Sequence, residues 1–142
     1  MYKIIQHSHS GIMWLVIALL FVSIVASLIS LVKKGDTASD YYGILFNITK
    51  WFIYLQALLG ITLLFISPLV KYESGFMKSS LLRYYGMEHP LMMLIAIGFV
   101  AIGLYKSKKK DSIIKKNRTI LITYSIALII MLVMIPWNAV MS

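Results

Sequence analysis

Two short stretches hold all three histidines of this 142-residue chain. One is Gln6-His7-Ser8-His9-Ser10, directly before a long apolar run; the other is Met87-Glu88-His89-Pro90, at the mouth of a second. Imidazole carries protons near neutral pH and is a common metal ligand. Two imidazoles that face each other can hold the iron of a b-type haem from both sides. His7, His9, Glu88 and His89 together are also enough ligands for zinc or copper, and His-x-His suits such a site best when its backbone is extended. Against these stands a plainer role, in which a histidine after glutamate and before proline only caps and orients a helix.

The elements that must position these residues follow from composition. The chain is 60% hydrophobic with a mean hydropathy of +0.84. Uncharged stretches run over 11–32, 51–70, 90–105 and 119–142. A bilayer core needs roughly 20 apolar residues as helix, and tilt or local thinning makes up the shortfall of the third stretch. The expected fold is all-α: an integral membrane four-helix up-down bundle forming a single domain over 1–142. Its helices are expected at about 8–32, 44–70, 89–106 and 118–138.

The net charge of +9 resides outside these spans, which points to membrane topology rather than to nucleic acid. Lys33, Lys34, Lys50 and the 106–118 segment hold ten of the fourteen basic residues. By the positive-inside rule that side is cytoplasmic, and both termini and the second connection face outward. The lysine-rich turn would also favour anionic lipid. The absence of cysteine excludes disulfides, iron–sulfur ligation, thioether-attached haem and thiolate catalysis. The amino terminus does not read as a cleavable signal. No phosphate-cradling or hydrolase motif is present. Charge-free spans argue against a transporter or proton pump, which usually places an ionisable group near the midplane.

Periodicity sets the faces. His9, Met13, Val16, Leu20, Ser23, Ser27 and Ser30 form one stripe on the first helix, and small residues there favour close helix contact. His7 would point to nearly the opposite side if the helix extends that far. On the third helix His89, Met93, Ala96, Val100 and Gly103 share a face. Helices 1 and 3 both begin outside and stand diagonally in an up-down bundle, so His9 and His89 are expected to face each other at similar depth. Gln56 is expected to bond across the bundle. Residues 79–85 read as a short interfacial helix capped by Ser79 or Ser80 and stopped by Gly86; residues 35–40 read as a turn.

Several segments together resemble a group of small four-helix bacterial inner-membrane proteins described as cytochrome b-like. They are His7-Ser8-His9-Ser10-Gly11-Ile12-Met13-Trp14, Gln56-Ala57-Leu58-Leu59-Gly60 with Ile66-Ser67-Pro68, Glu88-His89-Pro90-Leu91-Met92-Met93, and Ile135-Pro136-Trp137. The group tends to have arginine where this chain has Met13 and histidine where it has Tyr54. The resemblance implies haem b and electron transfer in the inner (cytoplasmic) membrane, with His9 or His7 as one iron ligand, His89 as the other, and Glu88 orienting an imidazole. Such a protein would serve beside other membrane subunits, near the quinone pool, rather than act as a standalone enzyme. The alternative is a haem-free structural or accessory subunit that packs against a larger membrane complex, its small-residue stripes meeting partner helices or each other.

Overall fold

The computed structural model describes the backbone of residues 1–33 and 39–140, and every regular element among them is helical. In chain order these are α1 (Tyr2–Val32), α2 (Ser39–Ile66), a 3-10 turn (Phe76–Lys78), α3 (Ser80–Arg83), a π turn (Tyr84–Glu88), α4 (His89–Lys108), α5 (Ile113–Met134) and α6 (Trp137–Val140). Four helices are long and apolar enough to cross a membrane: Tyr2–Val32, Tyr42–Ile66, Ser80–Lys108 and Ile113–Met134. The turn expected at 35–40 lies largely outside the described residues.

The helix bounds differ from the sequence reading for identifiable reasons. α1 begins at Tyr2 rather than near residue 8, because nothing before Gly11 breaks the helix. α2 ends at Ile66, short of residue 70, because Ser67 precedes Pro68 and is pushed out of the helical region. α5 starts at Ile113 rather than 118: Ser112 caps it, its Oγ accepting from the Lys115 N–H at 3.2 Å, and lysine and arginine are good helix formers. At the other end Ile135 is extended before Pro136, so α5 stops at Met134 and α6 is separate.

The largest correction concerns Gly86. Ser79 does cap α3, accepting from Leu82 N–H at 3.3 Å, but Gly86 stops nothing. The chain passes through the π turn straight into α4, with the His89 N–H bonded to the Tyr84 carbonyl five residues back. Pro90 has no N–H for the carbonyl four residues earlier, that of Gly86, and the Tyr72 hydroxyl donates to it at 2.7 Å. A Cβ at Gly86 would lie 2.8 Å from the Phe76 ring and 3.1 Å from the Tyr72 ring. Glycine there lets the 71–79 segment close over the bend.

The bundle is a ring in which α1 packs on α2 and α5, while α4 packs closely on α5 and more lightly on α2. Helices α1 and α4 are thus diagonal, as are α2 and α5. The small-residue stripes turn inward. Val16, Leu20, Ser23, Ser27, Ser30, Ala96, Val100 and Gly103 are all buried. Around them Phe46, Ile53, Ile120, Tyr124 and Ala127 complete the buried core. Cross-helix hydrogen bonds add direction: Ser23 Oγ to Thr49 Oγ1 at 2.9 Å, and the Tyr124 hydroxyl to the Phe46 carbonyl at 3.0 Å. Such bonds average about 0.6 kcal/mol in membrane bundles, so close packing matters more. The outer surface is apolar all round, with Phe21, Leu58, Phe65, Ile129 and Val133 exposed.

Packing is tightest at Gly103, where a Cβ would stand 2.1 Å from Thr123 Oγ1 and 2.5 Å from Thr123 Cβ. Gly103→Ala should cost ~1–3 kcal/mol through overpacking, read as a lower unfolding midpoint in detergent. Adding Thr123→Ala should recover only part of the loss, since the Thr123 Cβ contact stays.

Candidate functional site

At the end of the bundle that carries the N terminus, α2 and α4 separate and leave a cavity of about 310 Å³, near the lower bound of the ~300–1,000 Å³ typical of small-molecule sites. Residues from all four long helices line it, from Tyr2 and Gln6 at the rim to Ile17 and Ile97 at the floor. That is roughly 20 Å along α1 at 1.5 Å per residue. Its walls are mainly aliphatic. Among the described residues, no lysine, arginine or carboxylate lines it.

His9 and His89 both line this cavity, from diagonal helices. Met13 and Met93, one turn deeper on the same two helices, line it too. Residues of the two histidine stripes thus line the same cavity.

His89 is held by the far end of α5. Because Ile135 is extended before Pro136, the last carbonyls of α5 lose their next helical donors. The Leu132 carbonyl takes the Trp137 indole N–H at 2.8 Å. The Met134 carbonyl takes the Tyr84 hydroxyl and His89 Nδ1, the latter at 2.9 Å. A carbonyl can only accept, so Nδ1 bears the hydrogen and, in the neutral ring, the lone pair sits on Nε2. An Nδ1–H bonded to a backbone carbonyl is the usual way a metal-ligating histidine is oriented. The π turn places Tyr84 and His89 together on this carbonyl, their rings 5.6 Å apart.

His9 is held differently. Gln56 Nε2 donates to the His9 backbone carbonyl at 2.8 Å, the cross-bundle bond expected of Gln56. The imidazole lies against Gly60, where a Cβ would be 3.2 Å from His9 Cε1. His9 Nδ1 and Gln56 Oε1 are both buried without a hydrogen-bond partner. A buried unpartnered polar atom costs about 1–3 kcal/mol, so the contact between α1 and α2 beside the cavity is polar and unsatisfied.

The other two candidates lie apart. His7, roughly 200° round the helix from His9, is exposed and does not line the cavity. Glu88 pairs with Arg83, Oε1 to Nε at 2.5 Å, while Arg83 also donates to the Met77 carbonyl at 2.8 Å. The imidazole-orienting role expected of Glu88 falls instead to Met134 and Tyr84. Among the described residues no three histidine or carboxylate side chains converge to hold a metal ion, so the zinc or copper arrangement lacks its ligand set. Met134, Tyr84 and Gly60 were not evident from the sequence. The one available sign was Ile135-Pro136, which frees carbonyls but does not say for which donor.

No protein-family model, no curated protein and no solved structure matches the chain.

Because the chain has no cysteine, the placement of the histidines can be checked directly. His9→Cys combined with His89→Cys should cross-link within one chain through a short bifunctional thiol reagent. His7→Cys combined with His89→Cys should not, and equal yields for the two pairs would contradict the orientation of α1.

Proposed function

We propose that this chain is a four-span membrane protein of the bacterial inner membrane that holds one haem b between His9 and His89 and passes single electrons. The observation that carries this reading is the convergence of two imidazoles from diagonal helices on one apolar cavity. His89 has Nδ1 committed to a carbonyl and Nε2 free to ligate, and His9 has a buried nitrogen without a partner. The residues present suit the group. Aliphatic walls suit a porphyrin's faces, and Tyr2, Gln6, Ser67 and Tyr85 give the cavity a polar rim. A haem bound there would supply a one-electron couple, with axial ligand identity and burial setting its potential.

The chain's own residues have separable tasks in this scheme. His89 and His9 would hold the haem iron. Met134, through its carbonyl, and Tyr84 hold the His89 ring in orientation. Gln56 fixes the backbone of α1 at His9, and Gly60 leaves room for that ring. In a bilayer the apolar surface would surround the site with hydrocarbon, and by the positive-inside rule the lysine-rich 106–118 segment would face the cytoplasm. The cavity and both termini then lie at the outer leaflet. A single outer site cannot carry electrons across the bilayer. The protein accordingly serves beside another redox subunit or exchanges electrons with quinone.

The purified protein, expressed with ample haem, should give a reduced-minus-oxidised absorption spectrum with the sharp alpha and Soret bands of a b-type cytochrome. His89→Ala should abolish them, whereas His7→Ala should leave them intact. A flat spectrum from the native chain would overturn the haem assignment.

A further inference from the structure

A second recess, of about 260 Å³, opens between α2 and α4 at the opposite end of the bundle. Lys50 and Tyr54 line it from α2, and Tyr105 and Lys108 from α4, over a floor of Ala101 and Leu104. The two ammonium groups are positioned by their surroundings. Lys108 Nζ donates to Asn47 Oδ1 at 3.1 Å. Lys50 Nζ lies 4.9 Å from the Trp51 ring centroid and 5.8 Å from that of Tyr54. Among the described residues neither lysine has a carboxylate partner, since the ion pairs there are Arg83 with Glu88 and Lys115 with Asp111. Two cations and two phenols thus frame a gap in the more lightly packed seam of the bundle, and exposed apolar side chains such as Leu55 and Ile102 lie on the same two helices.

From this arrangement we infer that the α2–α4 recess binds the phosphate headgroup of an anionic phospholipid, with Lys50 and Lys108 as its cationic contacts. Charge complementarity selects an anion. The apolar helix surface on the outward side of the recess selects a lipid over a free ion, because acyl chains have hydrocarbon to follow. Basic recesses between membrane helices on the cytoplasmic side are suited to such headgroups, and aromatic rings with lysine suit the interfacial depth. The inference uses the membrane reading of the four helices and is independent of haem.

Native mass spectrometry of the full chain in mild detergent, titrated with phosphatidylglycerol or phosphatidylcholine, tests it. Phosphatidylglycerol should bind preferentially. Lys50→Gln with Lys108→Gln should weaken that binding on the order of 30-fold, at about fivefold per lysine near the surface. Lys110→Gln with Lys116→Gln removes equal charge from exposed positions and should leave the preference in place. If the first double variant does not fold, Lys108→Gln alone, at an exposed position, should still show about a fivefold loss. Equal weakening in both double variants would mean diffuse surface attraction and overturn the site. Displacement of the lipid by millimolar inorganic phosphate would reassign it to a free anion, and no preference over phosphatidylcholine would remove it altogether. Incorporation into phosphatidylcholine nanodiscs separately reports whether the helices span a bilayer.

Discussion

Backbone carbonyls set free at helix ends and bends organise the histidine end of this bundle. Apolar helices of this length leave little water to satisfy a freed carbonyl, so a side-chain donor must reach it. Pro136 ends α5 early, and the Met134 and Leu132 carbonyls draw in His89, Tyr84 and Trp137. Pro90 deprives the Gly86 carbonyl of a helical donor, and Tyr72 supplies one. The His9 carbonyl on α1 engages Gln56 of α2. Each bond ties a different pair of segments, and together they determine where both imidazoles lie. His89 of the Glu-His-Pro segment meets the carbonyl of Met134, the residue before Ile-Pro-Trp and 45 positions on in sequence.

The remainder of the bundle divides the labour. The half nearer the 106–118 segment is closely packed apart from the lysine recess on its α2–α4 seam, with Leu20, Val100, Ile120 and Tyr124 fully or almost fully buried. The other half carries the cavity. A close-packed half holds the four helices in fixed register, so the separation of α2 and α4 leaves a defined space rather than a loose one. The interior order α1–α2–α4–α5 places the two histidine-bearing helices diagonally, which sets their rings on opposite walls. The single weak seam of the ring serves both ends: it widens into the histidine cavity at one and into the lysine recess at the other.

Much of this was legible in the residues. Charge-free runs gave the four helices, and the small-residue periodicity on α1 and α4 gave the faces that are buried. Gln56, a lone amide in an apolar run, had to bond across the bundle and does. Less legible were the joints. Gly86 looks like a helix stop, but a π turn carries the chain through it, because Tyr72 and Phe76 pack where a side chain would stand. Glu88 looks like a partner for its neighbour His89, yet Arg83 reaches it first. Which of His7 and His9 turns inward depended on α1 being helical through residue 7, a matter of local continuity that Gly11 left open. The orienting group of His89 is a main-chain atom, and no residue type announces it.

The central claim is that His9 and His89 together ligate one iron, and electron paramagnetic resonance of the oxidised protein tests it most directly. The account predicts a low-spin ferric signal of the two-imidazole type in the native chain. His9→Ala should retain haem on His89 but convert the signal to high spin. A high-spin signal from the native protein, or a low-spin signal unchanged in His9→Ala, would contradict it.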